Sequence, residues 1–216
     1  MAINFAGGTN QLLWSPPTSQ PVNGCVAFLM KTTQTTVNAC PIACWNSSSR
    51  NGWGFVINNT LNKILAQGTN TTSTASIQLT STTSINDGNW HHVAFNYRRN
   101  SGTNELFVNG VSEATGATSP SWNPTGSPAL ALGDNNDTFW PSYVGELAQI
   151  GHWSANLDAA EIAGLAKGFT PPKIRPASLI SNIPLIREVN DFKAGLVPTV
   201  TGTSVSVHPR VVGPWF

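Results

Sequence analysis

Residues 87–110 read DGNWHHVAFNYRRNSGTNELFVNG, and this stretch decides the fold. Residues 90–97 are aromatic and β-branched, which suits a pleated, half-buried surface. Asn100-Ser101-Gly102 supplies residues that tolerate a chain reversal. Leu106-Phe107-Val108 is the return strand. Asn109-Gly110 closes it with the strongest two-residue hairpin signal, because both central positions of a type I′ turn need φ > 0.

Further strands are expected at residues 3–5, 11–14, 25–32, 39–45, 53–58, 63–68, 76–80, 129–133 and 143–153. The run CVAFLMKT at 25–32 is nearly continuous in apolar residues. It reads as a central strand buried on both faces, although periodicity alone also permits a helix. Short strands at this spacing predict an all-β sandwich. One helix stands out, over about 159–167. Asp158 and Glu161 form a capping-box pattern. Ile162, Leu165 and Ala166 make an apolar stripe. Gly168 stands where a left-handed C′ residue belongs, and Pro171-Pro172 forbid continuation. Beyond 173 the pattern loosens, with strand-like segments at 183–186 and 196–205. The expected organisation is a sandwich over 1–170 and a C-terminal extension over 171–216, packing on that sandwich or on a partner.

Composition narrows the function. The chain has 216 residues, a net charge of +1 and only 10% charged residues, against about 25% in an average domain. No Lys/Arg cluster favours nucleic acid. Arg98-Arg99 reads either as an anion contact or, more plainly, as a solvated strand end. No apolar run reaches the roughly 18 residues of a membrane span. The N-terminus lacks a signal-peptide pattern, so synthesis in a cytosol, with release by lysis or another non-classical route, is expected. Cys25, Cys40 and Cys44 are expected as buried free thiols, with a Cys40–Cys44 or Cys25–Cys40 bridge as the alternative.

Four segments, in order, resemble the laminin G-like and pentraxin-like branch of the concanavalin A-like sandwiches. Residues 87–93 match its "G-x-W-H-H-V-A" strand and residues 105–110 its "L-x-V-N-G" turn. Val144-Gly145-Glu146-Leu147-Ala148 matches its "F-x-G-x-I-D-E" strand, and residues 157–162 its "L-S-x-x-E-I" helix start. Where many relatives carry an acidic pair after the strand's Glu, this chain has Leu147-Ala148-Gln149. Lys173-Ile174-Arg175-Pro176, residues 183–191 and His208-Pro209-Arg210 resemble the extension on laminin G-like proteins of tailed bacteriophages and prophages. That resemblance implies a virion protein made in host cytoplasm, a homo-oligomer, and a phage capsid or tail protein as partner. Arg175, Arg187, Trp215 and Phe216 would supply the docking contacts. It also implies host or environmental glycans as ligands, and calcium as a cofactor.

The candidate glycan patch is Trp140 and Tyr143 beside Asn135 and Asn136, with Trp122 in a second loop. Aromatic faces stack on sugar C–H surfaces, and planar amides fix the hydroxyls. The plainer reading is that Trp140 staples its own loop to the sandwich. Trp14, Trp90 and Trp153 are expected in the core, and one ring of His91-His92 inside with the other at the surface. Asp134, Asn136 and Asp137 could offer oxygens to calcium, or could satisfy their own turn amides. No catalytic residue is assigned: a retaining hydrolase needs two carboxylates about 5–5.5 Å apart, and no strand carries such a pair. The expected function is a non-enzymatic virion surface protein with a glycan-binding module. The alternatives are a purely structural decoration protein and a carbohydrate-active enzyme.

Overall fold

The computed structural model describes residues 2–14, 20–35, 38–46, 51–58, 62–70, 75–122, 128–134, 140–186 and 188–211. Along the chain run β1 (Ala2–Ala6), β2 (Gln11–Trp14), β3 (Asn23–Lys31), β4 (Ala39–Asn46), β5 (Asn51–Asn58), β6 (Lys63–Thr69) and β7 (Ala75–Ser84). Then come β8 (Trp90–Arg98), β9 (Thr103–Val108), β10 (Val111–Ala117), β11 (Leu130–Leu132), β12 (Val144–Trp153) and the helix α1 (Ala159–Ala166). β13 (Leu179–Ile183), β14 (Thr199–Thr201) and β15 (Ser204–Ser206) follow.

Two antiparallel sheets form a sandwich. Sheet A runs β10-β9-β8-β3-β12-β1-β15, with β13 also on β12; sheet B runs β14-β2-β11-β4-β5-β6-β7. This is the concanavalin A-like jelly-roll architecture expected from the sequence. The hairpin that decides it is in place: Val108 pairs with Val111, and Asn109 and Gly110 have φ of 52° and 83°. Gly110 also has no room for a side chain, since a Cβ there would lie 3.1 Å from the Ala166 methyl on α1.

The central strands of sheet A are covered on both faces. From β3 and β8, Val26, Phe28, Met30, Val93, Phe95 and Tyr97 point into the main core. Their alternate neighbours Cys25, Ala27 and Ala94 face outward and stay small, and Ile162 and Leu165 of α1 seat on them. Burying two such side chains contributes about 1.5–3 kcal/mol each. The capping box of α1 is formed: Asp158 Oδ1 accepts from the Glu161 amide at 2.9 Å, and Glu161 Oε2 accepts from the Asp158 amide at 2.8 Å.

The C-terminal region is woven into both sheets. β13 adds to β12, β14 to β2 and β15 to β1. The strand expected over 196–205 is instead two short strands that turn at Gly202 (φ 62°), one for each sheet. The strand expected over 183–186 lies earlier, at Leu179–Ile183, because Leu185 is left-handed (φ 56°). Arg99 is no solvated strand end. It is buried, its Nε and Nη2 donate to the Pro21 and Gln20 carbonyls at 2.8 and 2.6 Å, and it lies over the Trp122 ring. The three cysteines are free and buried. Burial pushes the Cys25 and Cys44 thiols well up, which makes them poor nucleophiles.

Two predictions come from the packing. Gly68 lies under Trp122, and a Cβ there would stand 2.6 Å from the indole. Gly68→Ala therefore displaces Trp122 and lowers stability by about 1–3 kcal/mol in urea unfolding, with a shift of tryptophan fluorescence toward that of exposed indole. His152 is buried, its Nε2 lies 2.8 Å from the Tyr97 hydroxyl, and burial pushes its pKa down to about 3 from 6.5. Below pH 6.5 the unfolded chain takes up a proton that the folded chain refuses. The stability held above that pH is lost as the pH falls, at up to about 1.4 kcal/mol per pH unit. His152→Gln should flatten the slope of unfolding free energy against pH between about 6 and 4.5 by one proton; equal slopes would refute this.

Candidate functional site

The expected aromatic patch is not a surface. Trp122 is 0% exposed, Tyr143 0% and Trp140 5%. Trp140 packs on the outer face of sheet B against Trp45, ring centroids 4.6 Å apart, above Gly54. Trp122 joins the main core beside Tyr97. Tyr143 donates its hydroxyl to the Lys31 carbonyl at 2.9 Å. The three rings are therefore fixed by slots in different parts of the sandwich and cannot stack on a sugar from outside. Trp140 packs on the sandwich, and the residues before it, 135–139, lie outside the described residues. Asn135 and Asn136 lie outside the described residues.

The expected calcium ligands fare no better. Asn136 and Asp137 lie outside the described residues, and Asp134 follows Gly133 in a half-buried position. Among the described residues no three His, Cys, Asp or Glu side chains gather in one place. One carboxylate does not supply the six to eight oxygens calcium takes, so the described residues do not fit the ion.

Of the expected docking residues, Arg175 is engaged within the chain. Its Nε and Nη2 donate to Glu161 Oε1 and Oε2 at 2.8 and 2.7 Å, and its Nη1 to the Asn156 carbonyl at 2.9 Å. It secures the start of α1. Arg187, Trp215 and Phe216 lie outside the described residues.

A different site emerges on the outer face of sheet A. A cleft of about 420 Å³ opens between β8, the 109–110 turn, the end of α1 and the C-terminal segment. Trp90 and His92 come from β8, Asn109 from the turn, Lys167 and Gly168 from the helix end, and Pro209 and Arg210 from the tail. A smaller chamber adjoins it, sharing His92 and Gly168 and adding Gln149, Phe169 and Val211.

The hairpin fixes the floor. The Asn109 amide donates to the His92 carbonyl at 2.8 Å, and Asn109 Oδ1 accepts from the His92 amide at 3.0 Å. Asn109 Nδ2 lies 3.1 Å from His91 Nδ1, and His91 Nε2 lies 2.9 Å from Asp87 Oδ1. The network assigns the His91 proton to Nε2. Hydrogen bonds from Asn89 hold the Asp87 carboxyl well below the usual range. Both histidines are thus buried, against the expectation of one inside and one out.

His92 differs from His91. Neither of its ring nitrogens has a hydrogen-bond partner. Burial pushes its pKa down to about 4, so the ring is neutral at pH 7, with one donor and one acceptor. Gln149 sits at an irregularity in β12 with φ 53°. Its Nε2 lies 3.2 Å from His208 Nε2, and His208 Nδ1 lies 2.6 Å from the Pro209 carbonyl. Burial holds the His208 pKa below the usual histidine value, and Gln149 Oε1 is buried without a partner. Each such atom costs about 1–3 kcal/mol while unmet, and all three lie out of solvent contact beneath the chamber and cleft.

Trp90 supplies a half-buried aromatic wall, not a core residue as expected. Sequence reasoning missed this site because the Trp-His-His run reads as a fold signature. Gln149 gave no signal, since a left-handed residue inside a strand is not legible from composition.

Known proteins share this architecture. Residues 6–163 match the family model Laminin_G_3, described as the concanavalin A-like lectin/glucanases superfamily. Human neuronal pentraxin-1 is 30% identical over 89 residues, 38% of this chain and 21% of that protein, so the chain spans about a fifth of that curated relative. A Bacteroides ovatus protein superposes with TM-score 0.74 at 14% identity, over 98% of this chain and 61% of its own. The CBM40 of Ruminococcus gnavus IT-sialidase, bound to α2,3-sialyllactose, gives TM-score 0.61 at 14% identity, over 76% of this chain and 96% of its own. Those two identities carry the fold alone. The family model covers most of the chain, and the chain belongs to the concanavalin A-like lectin/glucanases superfamily as a laminin G-like domain.

Proposed function

We propose that the protein is a non-enzymatic carbohydrate-binding module whose site is the cleft on the outer face of sheet A. The observation that carries this reading is the cleft of about 420 Å³, walled by the half-buried Trp90 and floored by His92. Trp90 offers its face to the apolar side of a pyranose. A solved structure of the same fold holds a glycan, as the CBM40 complex with sialyllactose illustrates. Binding is favoured over hydrolysis because the described residues lining the cleft include no Asp or Glu, whereas a glycosidase needs two carboxylates.

A virion location, with a capsid or tail partner and a homo-oligomeric state, remains the finer reading. The sequence resemblance of residues 173–176, 183–191 and 208–210 supports it. It predicts the chain in purified particles after lysis; finding it only in the soluble lysate would refute that placement.

The sugar reading is tested by a glycan array on the full chain and on Trp90→Ala, with and without calcium. Saturable binding should weaken by about tenfold or more in Trp90→Ala, a change of about 1.4 kcal/mol, with the circular dichroism unchanged. An array with no saturable ligand, or a variant that binds as the parent does, would sink the assignment.

A further inference from the structure

We propose that this cleft selects an acidic saccharide and holds it without calcium, its acid group between Lys167 and Arg210 and its ring against Trp90. The inference rests on the reading of the cleft as a sugar site and adds the charge of the ligand.

The first ground is the sign of the charge. Lys167 and Arg210 line the cleft and are exposed. No Asp or Glu lines either the cleft or the adjoining chamber among the described residues. Neither cation forms an ion pair among the described residues, where Lys31 pairs with Glu146 and Arg175 with Asp158 and Glu161, while Asp87 accepts a hydrogen bond from the His91 ring. Asp87 and Glu161 are thereby engaged, and Glu105 and Glu113, on either side of Asn109, accept from Ser112 and from Thr83.

The second ground is the helix end. A helix C-terminus is negative, and would oppose an anion. Here the Lys167, Gly168 and Phe169 amides already donate to the carbonyls of Ala163, Leu165 and Gly164 at 2.9–3.1 Å. That satisfies the carbonyls of Ala163, Gly164 and Leu165, and the Lys167 ammonium is the formal charge at this helix end.

The third ground is the floor. His92 lines the cleft floor and is neutral at pH 7, so the floor adds no charge to that of the two cations. A low-dielectric wall beneath two like charges focuses their field on an incoming anion. Arg210 can meet a carboxylate through two parallel hydrogen bonds, and Lys167 acts as a point charge. A neutral sugar would leave both cations in water and gain nothing from them. A divalent cation has no carboxylate to hold it and two positive groups to repel it.

The acid group has two sources with one chemistry: the carboxylate of a uronic or sialic acid, or a sulfate ester. Titration calorimetry would compare sialyllactose, a uronic-acid oligosaccharide and a sulfated disaccharide with neutral lactose, on the parent chain, Arg210→Gln, Lys167→Gln and Trp90→Ala. At least one acidic ligand should bind about tenfold or more tightly than lactose. Each Gln variant should lose about tenfold for that ligand alone, high salt should weaken it, and chelator should leave it unchanged. If lactose binds as well as the acids and needs Trp90 but not Arg210, the acidic assignment falls while the sugar site stands. If neither class binds, both fall. If chelator abolishes binding, recognition runs through a metal and the proposal is overturned.

Discussion

Everything in this molecule depends on covering β8 and β3 twice. These strands carry large apolar residues on one side and Cys25, Ala27 and Ala94 on the other. A strand with an apolar outer face cannot be left in water, so the outer face needs a lid. α1 supplies half of it, docked by Ile162 and Leu165 and pinned at its start by the Arg175–Glu161 pair. The C-terminal segment supplies the rest, held by the contact between His208 and Gln149. The cleft is the gap between these two covers. It exists because a helix of eight residues and an extended segment cannot tile a sheet face completely.

The same logic explains why the aromatic loops turned inward. A sandwich of short strands has open ends and partly bare outer faces. Trp122 and Trp140 fill them by seating over Gly68 and Gly54, whose missing side chains make the slots. A tryptophan in a polar loop therefore says nothing of exposure until the facing strand is known. Trp90 shows the converse: a tryptophan in a strand pattern ends at the rim of the cleft because its strand begins there.

Polar groups follow the opposite rule from apolar ones. Asp87, Asn89, His91 and Asn109 satisfy one another across the hairpin and make it rigid. Asp191 is buried with four donors around it, Ser181 and the amides of Asn182, Lys193 and Ala194. The bare nitrogens of His92 and the bare oxygen of Gln149 contrast with these satisfied groups. They lie out of solvent contact beneath the cleft and its adjoining chamber, while other unpartnered buried atoms, among them the indole nitrogens of Trp14 and Trp122 and Ser76 Oγ, lie elsewhere in the described residues.

The strands, the Asn109-Gly110 turn and the capped helix were legible in the sequence because they rest on local physics: alternation, left-handed turn residues and the orphan amides of a first turn. The sandwich class followed from their order. The site was not legible. Its residues come from positions 90–92, 109, 149, 167 and 208–211, joined only when the outer face of sheet A receives both helix and tail. Burial of Trp122, Trp140 and Tyr143 was also a tertiary outcome, set by glycines on distant strands. Local sequence determined which elements form and which face of each is apolar. Only the packing of those faces decided which polar atoms were left without partners, because a hydrogen bond between distant segments has no signature in either one.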